Sequence, residues 1–162
     1  MQRFFLFPFH NKDGLVEIGG NLAHQIKNVL RSVVGDDYLL LDNAGSEYDA
    51  RLTSILKDKV IFEITDKRQA EGEPSIQIHL YQSFIRKERF EFVLQKGTEI
   101  GVASFTPLIT SRCVSLPKKS AERQVRWLSI IREAAEQSER GMVPRLNEAL
   151  SFQDACNEAR GF

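Results

Sequence analysis

The stretch Ile76 to Ile109, IQIHLYQSFIRKERFEFVLQKGTEIGVASFTPLI, changes its hydrophobic period twice, and those changes set the fold class. Ile76, Ile78, Leu80 and Gln82 alternate with Gln77, His79, Tyr81 and Ser83, a period of two that predicts a strand. After Arg86-Lys87-Glu88-Arg89 the spacing becomes helical through Ile100. Phe90, Val93, Leu94 and Gly97 then share one face, Phe92, Gln95, Lys96 and Glu99 share the next, and Gly101 is the stop. Ser104 to Ile109 reads as a second strand interrupted by Pro107, with Thr110-Ser111-Arg112 at its carboxyl end. Strand, helix and strand in this order predict a parallel sheet with a crossover helix, hence an α/β domain. Ligands of open α/β sheets bind at the carboxyl ends of the strands.

Downstream, the longest helical pattern ends in EAAEQSERGMVP, Glu133 to Pro144. At about 100° per residue, Trp127, Ile131, Ala134, Ala135 and Ser138 fall on a packing side, while Arg126, Glu133, Gln137 and Arg140 line up on another. The polar stripe reads either as a solvated face or as part of a site. Gly141 and Pro144 end the helix. Beyond Pro144 the pattern predicts one short helix, Leu150 to Ala159, capped by Ser151, and no further strand. A sheet of two parallel strands leaves an uncovered edge, so further material is expected, in the chain or from a partner.

Upstream, RQAEGEPS, Arg68 to Ser75, lacks an apolar pattern and reads as a linker. It separates expected domains at 1–70 and 71–162. The first contains short predicted strands at Arg3 to Phe7, Val16 to Ile18, Tyr38 to Leu41, Tyr48 to Leu56 and Val60 to Thr65, the spacing of a small antiparallel β-barrel. A helix capped by Asn21 places Leu22, Ile26, Val29, Leu30 and Val33 on one side and ends at Gly35.

Lys and Arg number 22 and Asp and Glu also 22, so net charge does not mark a generally basic nucleic-acid binder. RNA contact would have to come from local clusters. The most basic run holds Arg112, Lys118, Lys119, Arg123, Arg126 and Arg132, with Glu122 its one acid before Glu133. In the first domain Arg3, Lys27 and Arg31 read either as phosphate contacts or as ordinary surface charge. His24 and Trp127 read first as structural residues. Cys113 and Cys156 lack metal or CxxC spacing and read as free buried thiols. Neither a nucleotide loop nor a metal cluster is evident, and no apolar run approaches the roughly 20 residues of a membrane span. The apolar Met1 to Phe9 does not make a signal peptide, and a cytoplasmic location is expected.

Two segments carry a family resemblance. Gln95, Lys96, Glu99, Gly101, Val102, Pro107, Ser111 and Arg112 match one pattern, and Glu133, Ala134, Glu136, Gln137, Arg140, Val143 and Pro144 match another. The chain resembles the SPOUT-superfamily methyltransferases that methylate N3 of a uridine in small-subunit (16S) ribosomal RNA. Arg3-Phe4-Phe5, His24, Asn28-Val29-Leu30-Arg31 and Gly35-Asp36 extend the likeness to the first domain. The resemblance implies a PUA-like or OB-like RNA-binding barrel followed by the front of a Rossmann-like, knotted methyltransferase domain. It also implies S-adenosylmethionine as methyl donor, 16S rRNA or the small subunit as partner, and a homodimer for the full-length family.

The family's Gly-Pro-Glu-Gly-Gly-type loop and its Leu-Arg-x-Glu-Thr-Ala segment do not occur here. Donor-binding residues are therefore expected beyond Phe162, with this chain a truncated form. Arg112, Glu133, Gln137 and Arg140 are the candidates near the chemistry. Arg3, Lys27, Arg31, Lys96, Glu99, Arg112, Lys118, Lys119, Arg123 and Arg126 are candidates for RNA contact. Two alternatives stay open: the motif polar residues could instead form a bracing network, and the chain could be a non-catalytic RNA-binding or ribosome-assembly protein.

Overall fold

The structure, a computed structural model, describes residues 1–113 and 121–161. The chain divides into two units, Met1–Glu71 and Gly72–Phe162. The first is built on six strands: β1 (Gln2–Phe5), β2 (Asn11–Lys12), β3 (Leu15–Gly19), β4 (Asp37–Leu41), β5 (Ser46–Ile55) and β6 (Lys59–Gln69). Their order is β1-β4-β5-β6-β3-β2. Tyr48, Ala50 and Leu52 of β5 and Val60 and Phe62 of β6 alternate into the core, as their period of two requires.

Two expectations for this unit are corrected. β1 runs parallel to β4, so the sheet is not purely antiparallel. No ladder among the described residues joins β1 to β2, so it is an open sheet rather than a closed barrel. The reason lies in the edge: β2 has only two residues, bonded to β3 across the Asp13, Gly14 turn, and offers too short a ladder to close on β1.

The expected single helix is also different. α1 (Gly20–His24) passes into a π-helical turn, Gln25–Val29, and Arg31 takes φ 54°. The wider turn changes which side chains face inward. Ala23 and Ile26 are buried, whereas Val29 and Val33 are exposed. The Ser32 hydroxyl closes the segment by donating to the Ile26 carbonyl at 2.9 Å.

The second unit contains β7 (Ile78–Ser83), α2 (Lys87–Glu99), β8 (Val102–Ile109), α3 (Ala121–Gln137), β9 (Arg145–Leu146), β10 (Leu150–Ser151) and α4 (Phe152–Glu158). β8 is central: β7 flanks it on one side and β9 with β10 pairs to it as well, all parallel. The expected parallel sheet is present, and β8 continues through Pro107, which lies opposite Gln82. The third strand position was not expected. Its two dipeptides are too short to show an alternating pattern, and Asn147 holds the break between them. Its N–H donates to the Phe105 carbonyl at 2.8 Å and its amide to the Thr106 hydroxyl at 2.9 Å.

Helix packing explains two glycines and two alanines. A Cβ on Gly97 would lie 2.6 Å from the Phe105 ring, so only glycine lets α2 approach β8 this closely. Gly101, at φ 95°, turns the chain from α2 into β8. Ile131, Ala134 and Ala135 are the buried face of α3. Phe84, Phe90 and Trp127 form an aromatic cluster, with Phe90 and Trp127 centroids 4.7 Å apart. Ser151 caps α4, accepting from the Asp154 N–H at 3.1 Å. Cys113 is half-buried and Cys156 exposed, so the expectation of two buried thiols fails for Cys156, which lies on the solvent side of a short surface helix. No helix among the described residues is long and apolar enough to cross a membrane.

Candidate functional site

The carboxyl ends of β7 and β8 are tied together: the Phe84 N–H donates to the Leu108 carbonyl at 3.1 Å. After β8, Thr110 to Cys113 folds into a turn closed by the Cys113 N–H on the Thr110 carbonyl at 3.1 Å. The Thr110 hydroxyl and N–H lie 3.4 and 3.3 Å from Cys113 Sγ and hold that thiol below its usual range, the hydroxyl contributing most. Arg112 sits exposed on this turn.

After β7 the chain enters α2 through Arg86, Lys87 and Arg89, all exposed. Placing cations at the positive end of a helix dipole is unfavourable by about 0.3–1 kcal/mol each. Glu88 is the one acid in that first turn. Arg86, Arg89 and Arg112 form no ion pair among the described residues. Two adjoining loops thus present cations at the sheet edge where an α/β fold takes its ligands. Arg86, Lys87 and Arg89 were missed in the sequence as site residues. The available signal was three cations in one helical first turn, against the dipole.

The motif polar residues gather elsewhere. Gln95 and Glu99 of α2 face Arg126, Glu133 and Gln137 of α3 across a groove also lined by Phe92, Ile130 and Ala134. Lys96 pairs with Glu99 at 2.8 Å, the simple i, i+3 contact its spacing allowed. Arg126 makes a two-pronged pair with Glu91 at 2.6 and 2.7 Å. Glu133 accepts from the Ser129 hydroxyl at 3.0 Å.

Arg140 does not join this stripe. α3 ends at Gln137 and Glu139 takes φ 56°, which turns Arg140 inward. Its guanidinium donates to the carbonyls of Thr98 and Val102, at 3.3 and 2.5 Å, and to Glu73 at 3.2 and 2.6 Å. Glu73 also accepts from the Met142 N–H at 3.0 Å. Arg140 is therefore placed as a brace of the α2–β8 corner, the role left open for it by its sequence.

In the first unit Arg3 is mostly buried and lies 3.6 Å from Glu47. Lys27 donates to the carbonyls of Leu56 and Lys57 at 2.6 and 2.8 Å, pinning the β5–β6 turn. Arg31 and His24 are exposed. Arg123 lies over the Trp127 ring, 6.0 Å from its centroid. Lys118 and Lys119 lie outside the described residues. Among those that are described, no cluster of His, Cys, Asp and Glu could hold a metal ion.

The family model of the RNA methyltransferase domain matches residues 72–162. A Bacillus subtilis protein named ribosomal RNA small subunit methyltransferase E is 33% identical over 147 residues, covering 90% of this chain and 57% of the relative. Its Synechocystis namesake is 30% identical over 138 residues, covering 85% and 44%. The chain thus spans about half the length of these relatives. Among solved structures, the Neisseria gonorrhoeae methyltransferase E bound to S-adenosyl methionine superposes with a TM-score of 0.86 at 33% identity, over 96% of this chain and 64% of that one. A putative methyltransferase from Legionella pneumophila, in complex with the same cofactor, gives 0.87 at 33% identity, over 98% and 66%.

Proposed function

The chain belongs to the RNA methyltransferase domain family, and from that premise we propose that it serves S-adenosylmethionine-dependent methylation of uridine N3 in small-subunit (16S) ribosomal RNA. The observation that carries this reading is the cationic strand-end edge, where Arg86, Arg89 and Arg112 stand exposed and without ion pairs among the described residues. Phosphates supply the charge that a helix N-terminus crowded with arginine lacks. Lys87 shares the same turn, and Arg123 lies at the start of α3.

The fit of the donor to these residues is a separate matter. The two strand-end loops, 84–86 and 110–113, carry Phe, Ile and Arg and Thr, Ser, Arg and Cys, with no glycine to bring backbone against an adenosine. Arg86 and Arg112 stand exposed on them beside Ile85 and Ser111, and these two cations suit a polyanion and oppose a sulfonium. These two loops do not form a donor cradle, and in this reading the donor is held by other residues of the full-length enzyme. When bound, the donor supplies the methyl group that N3 takes up as it loses its proton. Within this chain Arg86 and Arg112 hold the RNA backbone and Arg140 keeps the α2–β8 corner in shape. Glu133 and Gln137 lie on the groove between helices, so their part is not contact with phosphate. Cytoplasmic residence, and a homodimer for the full-length protein, belong to the same reading.

A second reading is RNA binding or ribosome assembly without catalysis by this polypeptide, which the exposed strand-end cations Arg86, Arg89 and Arg112 serve equally. Calorimetry with S-adenosylmethionine and a methyl-transfer assay on small subunits, both with the full-length protein and the second read by mass spectrometry of N3-methyluridine, separate the two. Donor binding with N3-methyluridine formation supports the first. RNA binding that Arg86→Ala and Arg112→Ala weaken, with no donor binding, supports the second.

A further inference from the structure

α2 and α3 enclose a groove of about 510 Å³ that the methyl-transfer reading does not use. Phe92, 59% exposed, stands on its α2 side, with Gln95 and Glu99 following at helical spacing. Ile130, Glu133 and Gln137 face it from α3. A lone exposed phenylalanine needs no explanation. This one lies in a concavity beside Ile130 and Ala134, so an apolar group entering there leaves water on more than one side.

The rim decides what kind of occupant fits. Glu88, Glu91, Glu99 and Glu133 all line the groove. Arg126 answers Glu91 and Lys96 answers Glu99. Glu88 and Glu133 have no cation at ion-pair distance among the described residues, so the groove is net negative. RNA is repelled from such a surface. A second copy docked symmetrically through the same groove would set carboxylates against carboxylates. A cationic polypeptide with an apolar side chain meets both demands.

We infer that the α2–α3 groove docks a lysine- and arginine-rich polypeptide segment, which seats one apolar side chain against Phe92 and Ile130 while its cations meet Glu88 and Glu133. The inference goes beyond the methyl-transfer reading and stands without it.

Fluorescence anisotropy tests it with a short fluorescein-labelled peptide of lysine and arginine carrying one central leucine. The control peptide has glutamate in place of every cation. Saturable binding is expected for the cationic peptide only. Phe92→Ala in the protein, or serine for leucine in the peptide, should each weaken it about tenfold. The double variant Glu88→Gln, Glu133→Gln should do the same, and Arg112→Ala should change nothing. All the altered protein side chains are exposed, and far-UV circular dichroism checks that each variant is folded. The proposal is overturned if the groove variants bind the peptide as tightly as the parent protein. It is equally overturned if they weaken binding of an rRNA fragment, or abolish a concentration-dependent self-association seen by sedimentation, instead of peptide binding. Loss of RNA binding in Arg112→Ala reports on the strand-end site alone, so the two ideas fail separately.

Discussion

Arg3 and Lys27 of the first unit and the cations at the strand ends of the second are the same residue types in opposite states. Arg3 lies against Glu47 and Lys27 is bonded to two backbone carbonyls, so both act inside the fold. Arg86, Arg89 and Arg112 are exposed, have no ion pair among the described residues, and two of them sit against a helix dipole. A cation that stabilises its own unit has little left for a phosphate; in the proposed reading, one that is locally unfavourable finds its partner in the RNA backbone. Bonding state, rather than position in a basic run, separates a brace from a contact.

The largest test of that contrast is Arg140. Arg140→Met removes a buried guanidinium and leaves Glu73 and two carbonyls without it, which should lower unfolding stability by about 3 kcal/mol. Urea denaturation measures this. If stability holds and RNA affinity falls instead, Arg140 is a contact and the division is wrong. Next comes the double variant Arg86→Ala, Arg112→Ala, for which stability should be unchanged. RNA affinity should fall about tenfold or more, and the salt slope should flatten by about 1.4, two phosphate contacts at 0.7 each for single strands. Lys27→Met should show the reverse pattern, with a stability loss of about 1 kcal/mol from the freed β5–β6 turn and unaltered RNA affinity.

Much of the second unit was legible because period alone distinguishes Ile78–Ser83 from Lys87–Glu99, and Gly101 marks the stop. The broken strand at Arg145–Leu146 and Leu150–Ser151 was not, since two residues have no period and its register is held by Asn147 and β8. The Arg140 error has a similar origin. A 100° projection assumes that the helix continues, and Glu139 in the left-handed region ends that assumption one residue too early. In the first unit, alternation gave the inward faces of β5 and β6 but not closure, because pairing at a sheet edge depends on strands distant in sequence. The candidate site was only half legible: Arg112 lay in a visible motif, whereas Arg86 and Arg89 gain meaning from the neighbouring turn after β8.

Arg126 sharpens the comparison because it stands between the two classes: a cation in the basic run, yet held by Glu91. That hydrogen-bonded pair keeps the Glu91 carboxyl below its usual range, chiefly through the guanidinium contact, against a smaller opposing effect of burial. A carboxyl whose folded pKa is depressed stabilises the fold above its unfolded pKa of about 4.3 and loses that contribution as pH falls through the folded value. Glu91→Gln should therefore melt lower than the parent protein at pH 7, with the gap closing between about pH 4.3 and more acidic solution. The same substitution releases Arg126 from its partner, so RNA affinity at pH 7 should rise, by less than about threefold for one exposed cation in salt. A melting gap that persists undiminished at low pH would mean that Glu91 acts by packing rather than by charge. RNA affinity that falls in Glu91→Gln would mean that the pair positions Arg126 for the nucleic acid, so that a cation can brace and bind at once.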